Sequence, residues 1–130
     1  MFKLAQEFEA NFIVSENVYD GFVKTFNDKN PLHTIENYAI EKGFKSKVMH
    51  GNILNGFLSF FIGECLPTKD VIIHSQEIQF NNAVYLNDSI HFTAVISGIY
   101  ESVNAIEFKF KFKNTENKIV AKGKIQIGLL

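Results

Sequence analysis

Along this chain the spacing of apolar residues changes once, from a helical repeat in the first half to alternation in the second. Residues 2–14 are apolar and aromatic and read as an opening strand or extended arm. Ser15 then reads as a helix cap, and Val18, Phe22, Val23 and Phe26 share one helical face, with a stop predicted near Asn27. Asn30-Pro31 opens a second helix, because Asn caps well and Pro is tolerated at the first helical position. Ile35, Tyr38 and Ala39 give it an apolar face, and Gly43 suits a left-handed stop. A polar loop over 44–49 leads to Gly51, where the most apolar helix begins and runs to about Leu66, just before Pro67. Ile53, Leu54, Phe57, Leu58, Phe60, Phe61 and Ile62 cover most of its circumference, which predicts burial on nearly every side.

Beyond Pro67 the period becomes two. Residues 71–80, 89–100, 103–113 and 118–129 read as four strands, with 114–117 turning the chain into the last. Over 106–112 the even positions are apolar and the odd ones charged, the pattern of a strand packed on one face and wet on the other. Lys109, Lys111 and Lys113 belong to that wet face. Helices followed by antiparallel strands predict an α+β domain, and a sheet wrapped around the central buried helix uses both patterns. No linker, repeat or low-complexity tract divides the chain, so residues 1–130 form one domain.

Composition narrows the function classes. A net charge of −1 gives no general electrostatic reason to bind nucleic acid. No apolar run is long enough for a membrane span, and residues 1–12, which carry Glu7 and Glu9, do not read as a signal peptide. The single Cys65 allows no disulfide within the chain, which fits a reducing, cytoplasmic location; it is expected as a small buried apolar side chain. Fourteen Phe and no Trp suggest a core or ligand channel with much aromatic wall. His74 and His91 fall in strand patterns, are expected at the surface or in the sheet, and have no metal-ligand spacing.

The candidate chemistry lies in Asp28-Lys29-Asn30-Pro31-Leu32-His33 and in His50-Gly51. If Asn30-Pro31 starts a helix, Asp28 lies in the loop before it and His33 in its first turn, so both side chains can converge on one small volume. A carboxylate and an imidazole so placed can hold a water, one accepting its proton and the other relaying one. Gly51 opens the buried helix with a free N–H at the positive end of the dipole. Its missing side chain lets a ligand carbonyl approach, so an oxyanion donor would stand beside the water-activating pair. His50 is expected as a structural hydrogen-bonder where that helix starts.

An acidic residue followed by x-Asn-Pro-x-His, then His-Gly opening a central helix with a Ser farther along, resembles the MaoC-like (R)-specific enoyl-CoA hydratases and 3-hydroxyacyl thioester dehydratases of the hot-dog fold. Asp28, Asn30, Pro31, His33, His50, Gly51 and Ser59 match that pattern. The resemblance continues through Leu66-Pro67, Ser75-Gln76, Phe80, Val84 and Asp88. It implies reversible hydration of trans-2-enoyl to (R)-3-hydroxyacyl thioesters, carried by CoA or acyl carrier protein. Asp28 and His33 would activate the water, and the Gly51 N–H would hold the thioester oxygen. Ser59 would be a secondary polar contact orienting the pair, or would bond back to its own helix. A homodimer joined edge to edge is implied, and no metal or redox cofactor. Lys42, Lys45 and Lys47 could meet a CoA phosphate or an acidic carrier protein, or could form a solvated basic loop. Departures from the pattern include Gly56 where Ser is common, Ala83-Val84 for Pro-Val and Asn87-Asp88 for Gly-Asp. The alternatives are a hot-dog acyl thioesterase and a non-catalytic acyl-thioester binding subunit.

Overall fold

The computed structural model describes residues 1–130. Strand β1 (Glu7–Ile13) leads into α1 (Glu16–Phe26), two short helices α2 (Pro31–Thr34) and α3 (Glu36–Glu41), and then α4 (Asn52–Phe60). A π-helical turn, Phe61–Cys65, prolongs α4. Strands β2 (Val71–Phe80), β3 (Ser89–Tyr100), β4 (Ala105–Lys113) and β5 (Ile119–Leu129) complete one five-stranded sheet of order β1-β3-β4-β5-β2, with every pairing antiparallel.

Local hydrogen bonding sets the helix boundaries. The Ser15 hydroxyl accepts the Val18 N–H, and Asn27 ends α1 in the left-handed conformation at φ 58°. Gly43 stands at φ 96°, as a left-handed stop requires. The single helix expected over 31–43 is broken at Ile35, whose backbone is extended at φ −120° and ψ 106°. Just before the break, the Thr34 hydroxyl donates to the carbonyls of Lys29 and Asn30, side-chain bonding that competes with helix propagation. The break shifts the helical phase, so Ile35 and Tyr38 are exposed and only Ala39 of the expected apolar face is buried. A one-turn 3-10 helix, Glu101–Val103, and Asn104 at φ 49° delay the start of β4 to Ala105. Asn87 adopts φ 68° where the family commonly has Gly, a conformation Asn tolerates better than most residues.

The alternation in β4 separates two faces as expected: Phe108, Phe110 and Phe112 are buried, whereas Lys109 and Lys111 are exposed. Phe92 and Ile96 of β3 and Ile125 and Ile127 of β5 join the inner face, across which α4 and its π turn lie. Phe61, wholly buried, anchors the helix, its ring centroid 4.8 Å from Phe92 and 5.7 Å from both Phe8 and Phe108. Phe61→Ala is expected to destabilise the fold by about 3–5 kcal/mol, read as a lower urea midpoint at unchanged slope.

Burial of α4 corrects the expectation of an all-round covered helix. Ile53, Leu54, Leu58, Phe61 and Ile62 face the sheet, but Asn52, Gly56, Ser59 and Phe60 face outward, Phe60 being 53% exposed. A single sheet can cover only one side of a helix, and α1, the other neighbour of α4, leaves an open groove along Asn52 and Gly56. Cys65 is likewise exposed, because the π turn carries it away from the sheet. β2 pairs only with β5, which leaves a free edge bearing exposed Ile72, Ile73 and Phe80. His74 is exposed and His91 half-buried. No helix is long and apolar enough to cross a membrane.

Candidate active site

The segment joining α1 to α2 is held by two successive side-chain-to-backbone turns. Asp28 Oδ1 accepts the Asn30 N–H at 3.2 Å, and Asn30 Oδ1 accepts the Leu32 N–H at 3.0 Å, capping α2. The Asn30 carbonyl then accepts the His33 N–H. Six residues therefore place Asp28 and His33 on one small corner, as the Asn-Pro start predicts.

Residues far away in sequence fix the His33 ring. Its Nδ1–H donates to the Val48 carbonyl at 2.7 Å, which leaves Nε2 as the ring nitrogen available to a ligand. The Tyr19 hydroxyl donates to the His33 carbonyl at 2.6 Å, and the Val48 N–H returns to the Leu32 carbonyl. His50 is the only buried polar or charged side chain. Its Nε2–H donates to the Asp28 carbonyl at 2.9 Å, and the same nitrogen lies 4.0 Å from the Asp28 carboxylate. The His50 ring stacks on His33 with centroids 4.0 Å apart and has Phe22 at 4.6 Å on its flank. His50 is thus the expected structural hydrogen-bonder, and it also touches both members of the candidate pair. Its Nδ1 is buried without a partner.

One potential ligand atom from each of Asp28, His33 and His50 lies within 4.8 Å of the other two. The Asp28 side chain is 49% exposed and His33 half-buried, so water reaches the pair. This is also the only place in the chain where three metal-ligating side chains converge. A carboxylate and a bare imidazole nitrogen at this spacing can bind and deprotonate a water.

Gly51 stands at the N-terminus of α4, and its N–H has no hydrogen-bond partner in the chain. Its backbone is right-handed helical, so conformation does not call for glycine there. Close approach does: a Cβ would lie 2.9 Å from Cε1 of Phe80. The free N–H at the positive end of α4 suits an anionic oxygen. Two grooves flank the site. Asp28 lines one of about 850 Å³ between α1 and α4, and His33 and Gly51 line another of about 410 Å³ with Phe44, Val48 and Phe80. Asn52 lines both.

The remaining candidates divide. Lys42, Lys45 and Lys47 each lie over an aromatic ring, of Tyr38, Tyr85 and Tyr19, at 4.7–5.3 Å from its centroid. Lys45 and Lys47 fall in sequence between Phe44 and Val48, which line the His33 groove, but neither lysine lines it. Ser59 is not brought to the pair: it is exposed, its hydroxyl makes no hydrogen bond in the chain, not even to its own helix, and it lines neither groove. Eight residues of helix, about 12 Å, separate it from Gly51. Tyr19, Val48 and Phe22 were not foreseen as site residues. The helical stripe that includes Phe22 was legible, but nothing in the sequence ties Tyr19 or the Val48 carbonyl to His33.

Comparison with known proteins identifies the fold and the family. The (R)-hydratase from A. caviae superposes with a TM-score of 0.91 over 99% of this chain and 98% of its own, at 19% identity, which shows the hot-dog fold. An (R)-specific enoyl-CoA hydratase from Rhodospirillum rubrum is 29% identical over 96 residues, 74% of this chain and 67% of the relative. A 3-hydroxybutyryl-CoA dehydratase from Methylorubrum extorquens is 29% identical over 77 residues, 59% of this chain and 49% of the relative. The matches thus span about half to two thirds of these curated relatives, both of which are hydro-lyases. The family model for the MaoC like domain matches residues 5–118, which include strands β1 to β4 and every residue of the corner built by Asp28, His33, His50 and Gly51, and the chain belongs to that family.

Proposed function

We propose that this chain is a hydro-lyase that reversibly adds water across the double bond of trans-2-enoyl thioesters, giving (R)-3-hydroxyacyl thioesters. The observation that carries the reading is the Asp28 carboxylate beside a His33 ring whose Nδ1 is tied to Val48, next to the unpartnered Gly51 N–H. A water held by Asp28 and His33 Nε2 attacks C3 while Asp28 takes one of its protons. The electron pair of the double bond moves onto the thioester oxygen, where the Gly51 N–H stabilises it. The proton returns from Asp28 to C2 on the same face, so one water supplies both new substituents. Dehydration is the reverse. Loss of enoyl absorbance on incubation with crotonyl-CoA, and with the matching carrier-protein thioester, tests the reading. Inertness towards enoyl thioesters on both carriers would overturn it.

The substrate carrier in this reading is CoA or acyl carrier protein, with Lys42, Lys45 and Lys47 meeting its phosphate or acidic surface. The position of Lys45 and Lys47 in the segment between Phe44 and Val48, two residues of the His33 groove, supports this assignment. A homodimer joined at the free edge of β2 would cover that edge and the outward side of α4, where Ser59 and the exposed Phe60 lie. A sedimentation mass of one chain at micromolar protein would count against it. A cytoplasmic location accords with the free, exposed Cys65 thiol.

His50 acts in this scheme as a positioning residue. Its bond to the Asp28 carbonyl and its stacking on His33 hold the two groups in register. His50→Ala is expected to lower kcat by roughly 10- to 100-fold with little change in KM, since small misplacements cost on that scale. His50→Gln, whose amide N–H can take over the bond to Asp28, should recover part of the loss.

A further inference from the structure

Asn52 is the first residue of α4, next to Gly51, and it lines both grooves. An Asn at a helix start ordinarily caps the free backbone N–H groups there. This one does not. No side chain caps α4, and Asn52 Oδ1 instead accepts a hydrogen bond from Asn55 Nδ2 at 2.8 Å. Asn55, one turn along the helix, accepts at its own Oδ1 from Nε2 of Gln76 in β2 at 2.9 Å. Three carboxamides from two elements thus form a relay in which each donates to the next.

The direction of this relay decides what Asn52 offers. Its oxygen is taken by Asn55, so the group left for the grooves is its NH2, which has no partner in the chain. Helical side chains tilt towards the N-terminus, and here that is the end where the Gly51 N–H is free. Gly51 and Asn52 line the same groove as His33. An oxygen that gains negative charge can accept more than one hydrogen bond, and the backbone at Gly51 supplies only one.

We propose that the Asn52 amide is a second donor to the thioester oxygen, beside the Gly51 N–H, and that Asn55 and Gln76 are positioning residues that fix which end of that amide faces the substrate. The proposal rests on the acyl-thioester reading above.

Two substitutions separate the donor from the acceptor. Asn52→Ala removes both. Asn52→Asp keeps the oxygen that Asn55 holds, places a carboxylate where a helix start favours one, and removes only the N–H donors. Each is expected to lower kcat for crotonyl-CoA by roughly 10²-fold with KM nearly unchanged, the lower end for loss of one such donor. Asn55→Ala should cost roughly tenfold alone and nothing further in the Asn52→Ala protein, since it acts through Asn52.

Butyryl-CoA, isotopically labelled at its thioester carbonyl, has no double bond to hydrate and gives a readout without turnover. Its carbonyl stretch should fall in frequency on binding to wild-type protein, and fall less in both Asn52 variants. An equal fall in wild type and both variants overturns the proposal, as does wild-type kcat in Asn52→Asp. Hydration that is normal in Asn52→Ala leaves the hydratase reading intact and removes Asn52 from it. A carbonyl shift that depends on Asn52 in a protein that hydrates no enoyl thioester would sink the hydratase reading and leave the donor assignment standing.

Discussion

Asp28→Asn and His33→Ala are each expected to lower kcat/KM for crotonyl-CoA hydration by roughly 10²–10⁴-fold, the range for loss of a general acid–base group. Asp28→Asn is the cleaner of the two. Its side-chain oxygen can still accept the Asn30 N–H, so the turn before α2 persists while the proton acceptor is lost. His33→Ala also strips the Val48 carbonyl of its donor. That adds a stability cost of about 1 kcal/mol, measurable separately by urea unfolding. Both groups act on one water, so the double variant should be only slightly worse than either single one. Hydration that survives in the double variant would refute the Asp28/His33 mechanism.

Gly51→Ala should also lower activity, by a different route and less steeply. The added methyl would stand 2.9 Å from Phe80 Cε1, closer than carbon atoms pack, at the residue whose N–H is to receive the thioester oxygen. Relief of the clash moves either the start of α4 or the Phe80 ring over the groove, and both disturb the approach of the carbonyl. The Gly51 N–H survives the substitution, so the roughly 10²–10³-fold loss for removing such a donor outright is an upper bound, and a loss of about tenfold is expected here. A second substitution distinguishes this cause from a general defect: Phe80→Ala removes the clashing ring, so the Gly51→Ala/Phe80→Ala protein should recover much of the activity. Wild-type kcat/KM in Gly51→Ala alone would show that crowding between residue 51 and Phe80 does not bear on the approach of the carbonyl.

The legible parts of the site share a physical character. Asp28, Asn30 and His33 interact through backbone turns that close within two or three residues, so their convergence follows from residue types and spacing. The free N–H of Gly51 is likewise a property of any helix start. The alternating strand over 106–112 was legible because side-chain direction repeats every two residues. Ile35 was misplaced because a side-chain bond from Thr34 competes with the helix, a local contest that periodicity does not register. Cys65 and the outward side of α4 were misplaced because apolar composition reports what a surface would prefer, not whether a neighbour exists to cover it.

By itself the amino-acid sequence determined where helices give way to strands, which face of β4 is wet, and that a carboxylate, an imidazole and a free amide stand at two helix starts. Only the tertiary structure decided that His50 reaches back 22 residues to the Asp28 carbonyl, that Val48 orients the His33 ring, and that Phe80 crowds Gly51. The first group depends on interactions that close within a turn or repeat with a fixed period. The second depends on distant segments meeting through the packing of α1, α4 and the sheet, and no period in the chain encodes which residues those meetings bring together.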